Sequence, residues 1–169
     1  MISGNTAALL ALMTMAAAGP ALAHHSLAMY DTDKTYVFTG VVTGINPSSA
    51  HLVIHFVPLD EARARVIHDA DGQPDEWSVE MNPAAASARD GITVNSFAPG
   101  TIISVGLHPL RNGGHAGARG NSGLYKCPKD TPPAPGKFCD SVPGATAHGP
   151  GALPMATGPA PLDAGEKTP

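Results

Sequence analysis

Apolar residues at every second position are the feature that most limits what this chain can fold into. Leu52, Ile54 and Phe56 alternate with Val53, His55 and Val57, and Trp77, Val79 and Met81 alternate with Glu76, Ser78 and Glu80. A period of two sends successive side chains to opposite faces of an extended strand, whereas a helix would need a period near 3.6. Two further stretches read the same way. TYVFTGVVTGI, residues 35–45, is rich in β-branched and aromatic residues, with Gly40 and Gly44 placed to allow a bend or a bulge. TIISVGLH, residues 101–108, follows Ala98-Pro99-Gly100, whose Pro-Gly pair suits a type II turn.

One segment breaks the alternation. In MNPAAASARDG the order predicts a short helix, with Asn82 as the N-cap, Pro83 in the first helical position and Gly91 ending it. DADGQP, residues 69–74, reads as a hairpin turn rather than a calcium loop, because Gln73 and the early glycine misplace the ligands such a loop requires. Four or five bent strands with one helix predict a mainly β fold, a small OB-like β-barrel, with a small sandwich as the alternative. RNGGHAGARGNSG, residues 111–123, reads as a Gly-rich loop, and residues 124–127 as a last short strand. The predicted barrel domain is therefore residues 24–127.

Residues 128–169 hold 10 of the 17 prolines and almost no run of large apolar residues, which predicts a disordered or extended tail. Cys127 and Cys139, the two cysteines of the chain, are expected to form a disulfide that ties the start of this tail into a loop.

The other end of the chain predicts export. Residues 7–18 are apolar except for Thr14, a length that suits a secretory signal and falls short of the roughly 20 residues a bilayer requires. Ala21 and Ala23 meet the A-x-A rule, so residues 1–23 read as a signal peptide cut before His24, giving a periplasmic or secreted protein with no transmembrane segment once the signal is removed. The formal charge of −4 argues against a nucleic-acid partner, which requires a concentrated basic face.

Taken together, AHHSLAMYD at the start, the strand FTGVVTGINP, the order EWSVE, helix, DGIT, and the turn-strand FAPGTIISVGLHP resemble a family of small secreted bacterial proteins catalogued only as a domain of unknown function. The resemblance covers about residues 23–110 and implies an exported β-barrel with no assigned activity. Members of that family usually carry a histidine directly after the Asn-Pro of the first long strand; here Ser48 follows Asn46-Pro47, and the nearest histidine is His51.

The sharpest chemistry the residues offer is copper binding. A mature N-terminal His24 would present its α-amine and ring nitrogen as a chelate, and one further imidazole from His51, His55 or His108 would complete a nitrogen set suited to Cu(II). His51 and His55 are four residues apart, about 13 Å along a straight strand, so at most one of them joins His24. Met29 or Met81 are candidate soft ligands for Cu(I). No catalytic residues and no hydrolase or nucleotide motif are visible. The leading expectation is an exported, non-catalytic binding module for an unknown protein or small-molecule partner. A periplasmic copper-binding protein is the second reading and a copper-dependent oxidase the third. Cleavage after Ala21 instead would leave histidine third in the mature chain, a different copper chelate; the intact mass of the secreted protein is expected to correspond to a start at His24, and a start at Leu22 would overturn the chelate as drawn.

Overall fold

In a computed structural model, residues 27–158 are described. The predicted signal peptide, the histidines His24 and His25, and residues 159–169 lie outside them. Among the described residues seven strands form in chain order: β1 (Tyr36–Asn46), β2 (Val53–Pro58), β3 (Trp77–Glu80), β4 (Ile102–Pro109), β5 (Ala116–Ala118), β6 (Leu124–Lys126) and β7 (Thr146–Ala147), with helix α1 (Ala84–Arg89) between β3 and β4.

The first strand closes the fold. Its N-terminal half, Tyr36–Val41, pairs with β4, and its C-terminal half, Gly40–Asn46, pairs with β2, both antiparallel. From β2 the ring runs to β3, then through a parallel seam to β5, and back to β4, so five strands make a closed OB-like barrel. On the edge of β4 that carries β5 at its far end, β6 occupies the near end, and β7 pairs with β6 outside the ring.

Serving two neighbours requires β1 to bend, and its glycines permit this. At Gly40 a Cβ would lie 2.7 Å from the Phe56 ring and 2.8 Å from the Val57 carbonyl oxygen, so only a residue without a side chain lets the strands approach there. The register then slips between Val42 and Gly44, a bulge that leaves Thr43 exposed.

The alternation read from the sequence corresponds to inside and outside. Leu52, Ile54 and Phe56 of the second strand segment, Trp77, Val79 and Met81 of the third, and Ile103, Val105 and Leu107 of β4 all point into one core with Phe38, Val42 and Leu124. The Phe38 and Trp77 rings lie 4.5 Å apart, and Phe38 and Phe56 5.6 Å apart. Burying each such side chain contributes about 1.5–3 kcal/mol. The barrel interior is therefore packed with side chains.

Helix α1 forms one residue later than expected. Pro83 takes the cap position with no side-chain cap, while the backbone carbonyl of Asn82 accepts the Ser87 hydroxyl at 2.8 Å. Gly91, at φ 76°, ends the helix as predicted, and the chain beyond it buries Ile92 and Phe97 in the core. The Pro99-Gly100 turn also forms as expected, with Gly100 at φ 89° and the Thr101 N–H donating to the Ala98 carbonyl at 3.1 Å.

Two expectations are corrected. The Gly-rich stretch 111–123 contains β5, the strand that completes the barrel. It went unrecognised because Ala116, Gly117 and Ala118 carry no apolar alternation. Smallness is what the position demands, since a Cβ on Gly117 would meet the His108 carbonyl and the Leu107 side chain at 2.5 Å.

The predicted disordered tail is, over residues 128–158, a docked segment. Cys127 and Cys139 form the expected disulfide, worth about 3 kcal/mol on a chain-entropy account. The Cys139 N–H donates to the Ser104 hydroxyl at 2.9 Å, and Arg63 from the β2–β3 connection donates to the Lys137 carbonyl at 3.0 Å. Farther on, Gly123 N–H donates to the Ala152 carbonyl at 2.8 Å and Thr157 N–H to the Thr35 carbonyl at 3.0 Å. A segment rich in proline and glycine needs no apolar face of its own when backbone groups and proline rings dock on small residues. Here Pro154 seats on Gly106, and the backbone of residues 152–153 on Gly123.

The bend in β1 predicts a contrast between its two glycines. Gly40→Ala should lower unfolding stability by about 1–3 kcal/mol, the usual cost of overpacking. Gly44→Ala, where a Cβ would meet nothing within 4 Å, should leave it unchanged or slightly raised. Urea denaturation followed by Trp77 fluorescence measures both.

Candidate functional site

Ser78 and Glu80 lie on the face of β3 opposite its buried residues, and Glu76, just before the strand, continues that outward row. His55 stands opposite Ser78 on β2, and Val53 opposite Glu80. This register places histidines and carboxylates in pairs on the barrel's outer wall. His55 Nδ1 lies 3.4 Å from Glu76 Oε1, and the Thr43 hydroxyl released by the bulge donates to Glu76 Oε2 at 2.7 Å. His51 Nδ1 lies 3.3 Å from Glu80 Oε1 and 3.3 Å from the Met81 carbonyl oxygen.

The second pair has a further member. Tyr30 is buried, and its hydroxyl donates to Glu80 Oε2 at 3.2 Å. The backbone around it runs beside the end of β4, with the Asp31 N–H donating to the Pro109 carbonyl at 2.8 Å and the Arg111 N–H to the Met29 carbonyl at 2.9 Å. Burial, reinforced by the negative charge of Glu80 and the hydrogen bond to it, pushes the phenol up to about 12.

A third pair sits where β5 begins. His115 Nδ1 lies 2.6 Å from Oδ1 of the buried Asp75, whose Oδ2 accepts the Trp77 indole N–H at 3.4 Å. The His115 ring stacks on Trp77, 4.8 Å between centroids and 6° from parallel. Trp77 thus joins the aromatic core to a polar pair. Sequence reasoning missed this pairing, because His115 lies in the Gly-rich stretch and only the parallel seam between β3 and β5 brings it to Asp75.

The fourth histidine stands apart. His108 is on β4, and its Nδ1–H donates to the Lys34 carbonyl at 2.8 Å. The register runs from His108 to Ala118 and on to Glu80, so two strand spacings, about 10 Å, separate it from the nearest pair. Of the copper-ligand candidates with His24, His51 and His55 therefore share the β2–β3 wall and His108 does not. Met81 lies in the core and is removed as a soft ligand, whereas Met29 is exposed. His24 itself lies outside the described residues.

Orientation through Nδ1 has a chemical consequence. An imidazole that gives its Nδ1 proton to a carboxylate or carbonyl carries its lone pair on Nε2, the arrangement found behind metal-binding histidines. Each pair supplies one imidazole, and among the described residues no group of three or more His, Cys, Asp or Glu is placed to hold a metal ion. Nor do Glu76 and Glu80 make an acid–base couple. Four residues along a strand is about 13 Å, beyond the separation at which two carboxylates act on one bond.

Over residues 11–119 the chain matches the family described as Family of unknown function (DUF6152), and it belongs to that family. No curated protein and no solved structure matches it. The matched region ends at Arg119, just after β5, so the five barrel strands lie inside it while β6, β7 and the docked C-terminal segment lie beyond.

Because the Tyr30 phenol is raised from its ordinary 10.0 to about 12, the unfolded chain loses this proton first. The contribution of Tyr30 to stability is complete below pH 10 and is lost as pH rises from there toward 12. Glu80→Gln removes the negative neighbour, so ultraviolet titration of the phenol should show its midpoint falling toward 10. An unchanged midpoint would mean that burial alone sets it.

Proposed function

We propose that this chain is an exported, non-catalytic binding module that engages a protein or small-molecule partner on the outer wall of β2, β3 and β5. The observation that carries the reading is the contrast between the two faces of these strands. The inner face is filled by Trp77, Phe56, Ile54 and Val79, leaving no room for a ligand inside. The outer face presents polar pairs held in one orientation, and such pre-ordering lowers the cost of binding.

A second reading, copper binding through a mature N-terminal His24, is favoured by one specific contact. Tyr30 bonds to Glu80, which pairs with His51. His24 is six residues before Tyr30 in sequence, and six residues span at most about 20 Å, so the N-terminal amine and ring lie within chain reach of that pair.

Titration of the mature protein with Cu(II), followed by calorimetry and visible absorption at pH 7.5, tests the readings against each other. The binding-module reading predicts no tight copper binding. Under it, small-molecule extracts of the culture should shift amide resonances of His55, Ser78 and Ala116 in the free protein; shifts confined to the opposite wall would contradict it. The copper reading predicts one tightly bound equivalent, lost in His24→Ala and weakened at least tenfold in His51→Ala. Tight binding retained in His24→Ala would overturn it.

A further inference from the structure

Where β4 begins and β6 ends, apart from the wall of β2, β3 and β5, a cavity of about 390 Å³ opens at the surface. Residues 99–102 form one side of it, and Lys126, Cys127, Lys129 and Asp130 form the other. Its volume lies at the small end of the range for small-molecule sites. The first side lies inside the region matched to the family and the second beyond it, so the C-terminal part of the chain is what makes a cavity here.

Both sides are held in place. The Cys127 N–H donates to the Ile102 carbonyl at 2.9 Å, the Val42 N–H donates to the Thr101 carbonyl at 2.8 Å, and the Thr131 N–H closes the turn at Lys129 and Asp130 by donating to the Pro128 carbonyl at 3.1 Å. The disulfide from Cys127 to Cys139 anchors that turn to the barrel, where the Cys139 N–H meets the Ser104 hydroxyl. Lys126 is a fixed cation: its Nζ donates to the Ser96 carbonyl at 2.7 Å and stands 6.0 Å from the centroid of the Phe97 ring. An ammonium carries three N–H donors, so it can serve a ligand without giving up Ser96. The side chains of Lys129 and Asp130 have no hydrogen-bond or ion-pair partner among the described residues.

We infer that this cavity binds a small monocarboxylate with an apolar body, the carboxylate paired with Lys126 and Lys129 and the hydrocarbon laid against Pro99, Ile102 and the Cys127 end of the disulfide. Charge selects the class. The chain as a whole is acidic, with 14 Asp and Glu against 10 Lys and Arg, yet two lysines stand here with one acid. The excess of a single positive charge suits a monoanion, and Asp130 repels the second charge of a dicarboxylate or a phosphate dianion. The apolar part follows from Pro99, which is exposed, and Ile102, which is half-buried: a hydrocarbon chain removes both from water, which an inorganic anion does not do. Because the sides of the cavity are already fixed, binding orders little of the protein.

Titration of the full disulfide-bonded chain with sodium hexanoate at pH 7.5, followed by amide NMR, tests the site. The amides of Gly100, Thr101, Ile102, Cys127 and Lys129 should shift saturably, with a dissociation constant of about 1 mM or below, while those of His55 and Ser78 on the other wall hold. Hexanol, which keeps the chain and loses the charge, and adipate, which adds a second carboxylate, should each bind about tenfold more weakly. Lys129→Met should weaken hexanoate binding about threefold or more and Lys126→Met about tenfold, whereas Asp130→Asn should tighten it. No saturable shift at these amides, hexanol or adipate bound as tightly as hexanoate, an affinity unchanged in Lys129→Met or in a folded Lys126→Met protein, or no gain in Asp130→Asn would each overturn the inference. Should Lys126→Met fail to fold, the exposed Lys129 and Asp130 variants and the comparison of ligands still decide.

Discussion

Everything in this barrel depends on one strand pairing with two neighbours. β1 is long enough to reach both β2 and β4 only because it bends at the point where its two ladders overlap, Gly40 and Val41. A side chain at Gly40 would push β2 away at Phe56, and Phe56 is a central member of the core. The bulge two residues later completes the turn of the strand and sets Thr43 against Glu76. The closure of the fold and the arrangement of its outer wall therefore have a common origin.

Closure also determines where chemistry is possible. A five-stranded barrel has a narrow interior, and here bulky aromatic and branched residues fill it. Polar groups are thus confined to the outer wall, to the ends and to the surface under the docked C-terminal segment. On the wall the register sets Ser78 opposite His55 and Glu80 opposite Val53, and Glu76 and Glu80, the acids that keep this face wetted, also orient His55 and His51. At the end of the barrel Asp75 and His115 do the same beside Trp77. The pairs remain separate because strand spacing and residue rise keep them apart. That separation is the physical reason the described residues contain imidazole–carboxylate pairs rather than one converging cluster.

The parts of the fold that were legible in the sequence are those whose residues announce their own surroundings. The alternating runs of β2, β3 and β4, the Pro-Gly turn and the glycine bend of β1 each state which side faces the core. Two parts were not legible for the same reason. β5 is Ala-Gly-Ala, and residues 128–158 are mostly proline, glycine and small polar residues, so neither has a hydrophobic pattern. Both are defined by what they dock against: Gly117 by Leu107 and the His108 carbonyl, and the C-terminal segment by Gly106, Gly123 and the Arg119 guanidinium. For the site, the wet face of β3 and the placement of His51 and His55 could be read from the alternation. The partners Tyr30 and His115 could not, because tertiary pairing across more than 35 residues brings them in.

β5, a strand without large side chains, seals the ring against β3 and so closes the barrel. Its seam rests on the Ser78 N–H donating to the His115 carbonyl at 3.0 Å and the Arg119 N–H donating to the Glu80 carbonyl at 2.9 Å. Residue-resolved hydrogen exchange at neutral pH measures that seam directly. The closed barrel predicts that the Ser78 and Arg119 amides are protected to the same degree as the Val105 amide in β4. Exchange at Ser78 and Arg119 as fast as in the exposed Asp69–Gly72 turn would contradict it.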